Sequence, residues 1–150
     1  MENLREWHKE RMMERTVKAL LSNYFDAHFF TDRTSLLESI MYHVYPGMTI
    51  GIGGSLSIRG IGLLENLAQI DVEVLDHWKQ GLTKEDIDVI RLAQLTCDLF
   101  LSSANAITEK GDIVNIDVSG NRVNAMTFGP KKVIIIAGYN KITPDISSVT

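Results

Sequence analysis

The chain has 150 residues, 45% of them apolar, and a formal net charge of −4 at pH 7. This length fits one domain over residues 1–150, and the apolar fraction is high enough to build a core, which argues against intrinsic disorder. The acidic balance and the lack of a basic stripe argue against a nucleic-acid partner. Because Cys97 is the single cysteine, the chain has no internal disulfide and no cysteine-rich metal site of its own.

The start of the chain and its apolar runs predict a cytoplasmic protein. The sequence begins Met1-Glu2-Asn3 and continues through mixed charges, so we expect no signal peptide. The longest aliphatic run, Val133 to Ala137, is far too short to cross a bilayer. We therefore expect no membrane partner.

A long helix is predicted over residues 3–25, because apolar residues recur there at helical spacing. These residues are Met13, Val17, Leu20, Leu21 and Tyr24. A short strand over 27–30 follows, and Thr31 and Asp32 then predict the N-terminal cap of a helix over 35–44.

From Pro46-Gly47 onward, strands alternate with helices. Strands are predicted at 48–52, 72–75, 98–101 and 132–137, and helices at 56–67, 83–97 and 122–127. A hairpin that turns at Lys110-Gly111 and returns over 113–116 interrupts the alternation. This order predicts an α/β fold, in which a mostly parallel sheet is flanked by helices and carries a small hairpin insertion.

Three local signals refine these elements. Gly60 and Gly62 lie inside the predicted helix 56–67 and indicate close packing of that helix on the sheet. Thr83, with Asp86 three residues later, is a weakened capping box. Thr143-Pro144 predicts a cap followed by proline at the first helical position, although Thr150 follows too soon for a full helix.

Polar or glycine residues follow each predicted strand of the sheet. The segments are Gly53-Gly54-Ser55, Asp76-His77-Trp78, Ser102-Ser103-Ala104-Asn105 and Gly138-Tyr139-Asn140. In open parallel sheets, ligands bind beyond the carboxyl ends of the strands. The sequence therefore predicts a crevice at these ends that binds a small polar ligand.

The glycine turn after strand 48–52 is the first candidate binding element. Gly53 and Gly54 allow a ligand to approach the backbone amides, and Ser55 can cap the next helix, whose N-terminus favours a phosphate or carboxylate. Leu56 stands where a dinucleotide fingerprint has its third glycine, and no Lys-Ser/Thr pair of a P-loop follows. A tight turn without a ligand is the alternative interpretation.

The second candidate element is the polar segment around the hairpin. Asn105 and Asp117 are candidates for ligand hydrogen bonds, and Asn115 and Asn121 lie close to them in the sequence. Arg122 can bind a carboxylate or phosphate through two parallel hydrogen bonds, or it can pair with Asp117 instead.

Four ordered motifs carry a resemblance to a known family. They are Gly-Ile-Gly-Gly-Ser at 51–55, Thr-Glu-Lys-Gly-Asp-Ile-Val-Asn-Ile-Asp at 108–117, Gly-Asn-Arg at 120–122 and Phe-Gly-Pro-Lys-Lys at 128–132. Together they resemble the LUD-domain family, which is tied to lactate utilization. The resemblance implies a fold similar to sugar-phosphate isomerases and CoA-transferases, and a chain that is short at its C-terminus relative to the family.

The family also implies a role. A protein of this kind is accessory to an iron–sulfur L-lactate oxidation system, so its partners would be the iron–sulfur proteins of that system and a small anionic or phosphorylated molecule. The sequence identifies no cofactor, because it has no flavin or nicotinamide fingerprint, and no set of His, Cys and carboxylate residues has metal-site spacing.

Two alternatives stay open. Thr108-Glu109-Lys110-Gly111 resembles the Glu-x-Gly turn of CoA-transferases, in which the glutamate attacks the acyl group, so Glu109 or Asp117 could serve an enzyme of acyl-CoA or phosphosugar chemistry. An exposed hairpin tip, where such charges are common, is the plainer interpretation of Glu109. The other alternative is an assembly module or homodimer that uses the first helix, where Trp7 is a candidate contact. His77 is the one histidine expected at a strand carboxyl end, and a surface position is its plainer interpretation.

Overall fold

The computed structural model of the chain describes residues 2–149, and these form two compact units. The first unit combines the residues up to Thr31 with Ala104–Asn115 and the residues from Ala137 onward. The second unit consists of Asp32–Ser103 and Ile116–Ile136. One domain over 1–150 stays a prediction.

The helices and strands are distributed along the whole chain. The helices are α1 (Glu2–Ser22), α2 (Arg33–Met41), α3 (Leu56–Gly60), α4 (Leu63–Leu67), α5 (Lys84–Gln94) and α6 (Asn121–Thr127). The strands are β1 (Thr49–Ile52), β2 (Glu73–Asp76), β3 (Leu99–Ser102), β4 (Ala106–Thr108), β5 (Ile113–Val114), β6 (Lys132–Ile135) and β7 (Ile142–Thr143). Short 3₁₀ helices cover Tyr139–Lys141 and Ile146–Ser148.

The second unit is built on a parallel sheet with the strand order β2-β1-β3-β6. Ile50 in β1 lies opposite Val74 in β2 and Leu99 in β3, and Leu101 lies opposite Ile134 in β6. Each pairing is parallel, as crossover connections through helices require. The predicted mostly parallel sheet flanked by helices is confirmed.

Apolar side chains on both faces of this sheet explain why its central strands are buried. Alternate residues of β1 and β3 pack with the helices α3 and α4; they are Ile50, Ile52, Leu99 and Leu101. Phe100 points to the opposite face, where it packs with Cys97 and Ala125. A β-carbon on Gly51 would lie 2.8 Å from the Phe100 ring, so the glycine makes room for that ring. Cys97 is buried and belongs to this cluster.

The predicted helix 56–67 is two helices. Gly62 has a φ of +78°, a left-handed conformation that ends α3 and begins α4. A β-carbon on Gly60 would meet no atom within 4 Å. Close packing on the sheet, the expected reason for these two glycines, is therefore wrong for Gly60, and Gly62 serves the break in the helix.

Helix caps were predicted more accurately. Asp32 caps α2 by accepting a hydrogen bond from the backbone N–H of Ser35. Thr83 and Asp86 form a complete capping box, in which each side chain accepts from the other's backbone N–H. The two caps set the start of α2 and α5 in the second unit.

The first unit contains α1 and a small sheet with the order β5-β4-β7. The predicted hairpin is confirmed, because β4 pairs antiparallel with β5 and Gly111 between them has a φ of +85°. β4 also pairs with β7 in parallel. Two local predictions were wrong here. Residues 27–30 form no strand, and the cap expected at Thr143 lies at Asp145, because Thr143 belongs to β7.

Candidate functional site

Two glycines follow β1, and close packing explains both. The Gly53 N–H donates to the carbonyl of Leu101 at 2.8 Å, which extends the pairing of β1 with β3. A β-carbon would lie 2.6 Å from the Ser102 Oγ if placed on Gly53, and 2.6 Å from the Trp78 indole if placed on Gly54. Neither glycine has a positive φ. Neighbouring side chains therefore lie directly against the backbone of both glycines, Ser102 at Gly53 and the partly exposed Trp78 at Gly54.

Ser55 follows as the residue that precedes α3. It occupies the N-cap position, but its side chain makes no capping hydrogen bond. α3 has only five residues, so its aligned peptide dipoles add little to an anion site. Ser55 is buried, and its hydroxyl is available for another partner.

The carboxyl end of β2 carries an ion pair beside this turn. Arg59 in α3 donates from Nη2 to Oδ1 of Asp76 at 2.6 Å, and the backbone N–H of Trp78 donates to the same oxygen at 2.9 Å. The guanidinium carbon of Arg59 lies 5.2 Å from the centre of the Trp78 ring, a cation–π distance. Because the same indole lies on Gly54, the guanidinium and the glycine turn belong to one local arrangement.

Gln94, at the end of α5, connects the ends of β1 and β2. Its Nε2 donates to the carbonyls of Ile52 at 2.9 Å and Leu75 at 2.7 Å. The same nitrogen lies 3.2 Å from Nδ1 of His77. The two carbonyls require an N–H donor, which fixes the orientation of the amide. An amide nitrogen cannot accept a hydrogen bond, so this arrangement matches the His77 tautomer that carries its proton on Nε2.

His77 is buried, so the surface position expected for it is wrong. Burial lowers the pKa of His77, and the nearby guanidinium groups of Arg91 and Arg59 lower it further, while Asp76 acts in the opposite direction. The surroundings of His77 consequently favour the neutral imidazole. A neutral histidine next to charged groups can donate a hydrogen bond from Nε2 without adding charge.

Unsatisfied polar atoms concentrate around this histidine. Within residues 2–149, the buried atoms Arg59 Nε, Arg91 Nε and Gln94 Oε1 have no hydrogen-bond partner. Arg91 and Gln94 are three residues apart on α5, and both act on His77. Leaving a buried donor or acceptor without a partner is unfavourable, which makes such a group of atoms a candidate binding site.

The start of α6 gathers three of the predicted site residues. The carboxylate of Asp117 accepts hydrogen bonds from the backbone N–H groups of Arg122 at 2.8 Å and Val123 at 3.1 Å, so it caps the helix that Asn121 begins. The Arg122 guanidinium donates to the carbonyl of Ile116 at 2.9 Å. Asp117 thus contacts the backbone N–H of Arg122, and the side chain of Arg122 binds the loop that precedes α6.

The Thr-Glu-Lys-Gly-Asp motif in the first unit is a hydrogen-bonded turn. The hydroxyl of Thr108 donates to Oδ2 of Asp112 at 2.7 Å. The same hydroxyl accepts from the backbone N–H groups of Lys110 at 3.3 Å and Asp112 at 3.0 Å. The first and last residues of the motif therefore have a structural role.

The tip of this hairpin packs on α1. Glu109 accepts from both Nη2 and Nε of Arg15, at 2.8 and 3.0 Å. The Asn23 side chain donates to the carbonyl of Gly111 at 3.0 Å, and a β-carbon on Gly111 would lie 2.7 Å from the carbonyl carbon of Ala19. Residues 15, 19 and 23 are spaced four apart, so they lie on the same face of α1 and of the residue that follows it. Glu109 as a nucleophile stays a prediction.

The predicted site residues divide between the two units. Asn105, Glu109 and Asn115 belong to the first unit, and Gly53, Gly54, Ser55, Asp117, Asn121 and Arg122 belong to the second. The Asn105 side chain is exposed, and Oδ1 of Asn115 is buried without a hydrogen-bond partner among residues 2–149. The convergence of all these residues on one ligand stays a prediction.

Comparison with known protein families decides the relationship. The model of the LUD domain matches residues 13–150, a range that includes the glycine turn, the hairpin and α6. The chain belongs to the LUD-domain family. No curated protein matches the chain. Of the helices within residues 2–149, none has an apolar stretch long enough to cross a membrane.

Sequence reasoning missed three polar residues of this LUD domain: Arg59, Arg91 and Gln94. The only sequence signal for Arg59 is its position four residues after Ser55, the spacing of one helix face. Arg91 and Gln94 lie on α5 and resemble ordinary residues of an amphipathic helix. Their importance depends on contacts with strands distant in the sequence.

Proposed function

We propose that this LUD domain acts in lactate utilization, in the cytoplasm, as an accessory to an iron–sulfur L-lactate oxidation system. The observation that supports it most is the family match over residues 13–150. Iron–sulfur clusters are usually held by four cysteine thiolates, and Cys97 is the single cysteine of the chain. The redox centre would therefore belong to iron–sulfur proteins that act as its partners.

The proposed ligand is a small anionic or phosphorylated molecule at the carboxyl ends of β1 and β2. Support comes from the available hydroxyl of Ser55 and from the polar atoms around His77 that have no partner within residues 2–149. The backbone of Gly53 and Gly54 would lie next to the ligand. Asn121 and Arg122, which belong to the same unit, are proposed as further hydrogen-bonding residues, and Asn105 and Asn115 stay predicted ligand-binding residues of the first unit.

Catalysis by Glu109 or Asp117 on an acyl-CoA or a phosphosugar has weaker support. Glu109 is paired with Arg15, and Asp117 caps α6, so each carboxylate already has a structural partner. Incubation with acyl-CoA followed by hydroxylamine would trap a glutamyl thioester, and Glu109→Gln is the matched control. A trapped adduct in the unmodified chain alone would favour the enzyme.

A homodimer or assembly role rests on the start of α1. Leu4 and Trp7 are three residues apart on this helix, and both are exposed. Exposed large apolar side chains on one helix face are typical of a contact with a partner. Removal of residues 1–12 and measurement of the oligomeric state by light scattering would test this role.

The accessory role has a direct test. The iron–sulfur proteins of lactate oxidation would be purified, and lactate-dependent reduction of a dye would be measured with and without this chain. We expect the rate to rise when the chain is added. Equal rates, with no binding of L-lactate or inorganic phosphate by calorimetry, would contradict both parts of the proposal.

A further inference from the structure

Arg59 holds a guanidinium with most of its hydrogen-bonding capacity unused. A guanidinium has five N–H donors, and within residues 2–149 the only hydrogen bond of this one is that from Nη2 to Asp76. The side chain is 28% exposed, so solvent or a ligand can reach part of it. Asp76 therefore orients the group and leaves other N–H donors for a second oxyanion.

We propose that Arg59 and the Nε2–H of His77 bind the carboxylate or phosphate of the ligand at the carboxyl ends of β1 and β2. This inference rests on the proposed function and names the residues that recognise the negative charge. An oxyanion is the matching chemistry, because every available group of the pair is a donor. A guanidinium also matches the planar geometry of a carboxylate or phosphate.

Two contacts hold this pair in position. Asp76 pairs with Arg59 and lies directly before His77 in the chain. Gln94 Nε2 contacts the imidazole at Nδ1, and this contact matches the tautomer with its proton on Nε2. The buried Gln94 Oε1, which has no partner within residues 2–149, is an acceptor that a hydroxyl or a protonated phosphate oxygen of the same ligand can satisfy.

Trp78 makes the site observable. Its indole is 46% exposed and lies against both Gly54 and the guanidinium of Arg59. An anion bound to Arg59 changes the charge and solvent next to the ring, so the indole emission must change. Trp7 is the other tryptophan of the chain, and Trp7→Phe leaves Trp78 as the single fluorophore.

The experiment uses the full chain with Trp7→Phe. Inorganic phosphate and L-lactate are titrated separately, to distinguish a phosphate from a carboxylate ligand, and binding is followed by Trp78 emission and by calorimetry. We expect Arg59→Gln to weaken binding about tenfold or more, the loss of a hydrogen bond to a charged group. Arg59→Lys keeps the positive charge but lacks the planar set of N–H donors of a guanidinium, so it should give a smaller loss of affinity.

Arg33→Gln is the matched control. Like Arg59, Arg33 is an arginine that donates one hydrogen bond near α3, in its case to the carbonyl of Gly60 at 2.8 Å. It should bind as the unmodified chain does. Equal affinity of the Arg59→Gln and Arg33→Gln chains, or binding by calorimetry without a change in Trp78 emission, would overturn this inference and leave the proposed function standing. Absence of binding by the unmodified chain would overturn both. If Arg59→Gln fails to fold by circular dichroism, Arg59→Lys and His77→Gln decide by the same criterion.

Discussion

Gly111 at the tip of the hairpin lies against the backbone of Ala19 in α1, where a β-carbon would come within 2.7 Å of the Ala19 carbonyl carbon. The same glycine has a φ of +85°, so both its conformation and its surroundings exclude a side chain. The Glu-Lys-Gly turn that resembles a catalytic element is consequently also the point where the hairpin meets the long helix of the first unit.

Replacement of Gly111 by alanine should destabilise the protein strongly. A left-handed alanine costs about 1–2 kcal/mol, and a side chain forced against a helix backbone adds about 1–3 kcal/mol. Gly47→Ala is the control, because Gly47 has a φ of +86° but no atom within 4 Å of its β-carbon position. Urea denaturation should show the larger loss for Gly111→Ala, and equal losses would refute the packing argument.

Tyr24→Gly should stabilise the chain. Tyr24 has a φ of +67° and is 98% exposed, and it ends α1 with the hydrogen bonds of a Schellman motif. Relief of the left-handed strain, about 1–2 kcal/mol, exceeds the entropic penalty of glycine, about 0.4–1 kcal/mol. Tyr42 is also largely exposed, at 87%, but has a right-handed backbone conformation. Tyr42→Gly should therefore lower the urea midpoint, whereas Tyr24→Gly should raise it.

Gly54→Val should abolish anion binding and leave most of the fold intact. Its side chain would meet the indole of Trp78, which is partly exposed and can move. Gly60→Val is the control, because the β-carbon position there is open. Calorimetry with inorganic phosphate should detect binding to the control alone. Unchanged binding by Gly54→Val would remove the glycine turn from the site.

Asp98 should make stability depend on pH in the acid range. Its hydrogen bond from Lys131, followed by those from the backbone and hydroxyl of Thr49, lowers the pKa of Asp98 to about 2. A folded-state pKa below that of the unfolded chain means that the stabilisation is present above the ordinary value of 3.8 and is lost as the pH falls towards about 2. Asp98→Asn should make the urea midpoint depend less on pH over this interval. An unchanged dependence on pH would exclude Asp98 as its source.

The purified chain should be colourless and inactive as a lactate dehydrogenase. Cys97 is buried, and burial raises the pKa of its thiol, so the thiolate that a metal requires is disfavoured. Visible absorption spectra of the chain after iron and sulfide reconstitution should lack an iron–sulfur band. Such a band would contradict the view that the redox centre belongs to partners.

Local patterns were enough to predict much of the fold. β1 and β3 are short apolar runs followed by glycine or serine, and their neighbours in the sequence are helices with clear caps at Asp32 and Thr83. The strand predicted at 27–30 failed because its apolar residues have no partner strand within the described chain. A β-strand is stabilised by pairing, which a single segment of sequence cannot reveal.

The candidate site was harder to predict, because its decisive contacts join residues distant in the sequence. Ser55 and the residues after β2 could be placed at strand ends from the alternation of elements alone. Arg59 meets Asp76 across seventeen positions, a pairing that no local spacing indicates. His77 was expected at the surface, but its ring is buried and contacts Gln94 in α5. The sequence around His77 does not reveal this contact.

The two hydrogen bonds from Gln94 to the carbonyls of Ile52 and Leu75 give α5 control over the spacing of the strand ends. The side chain of Gln94 therefore joins α5 to the ends of both paired strands, just before the glycine turn and His77. Under the proposed function, substitutions on the outer surface of α5 that shift this helix along the sheet would change the geometry of the anion site without contacting the ligand.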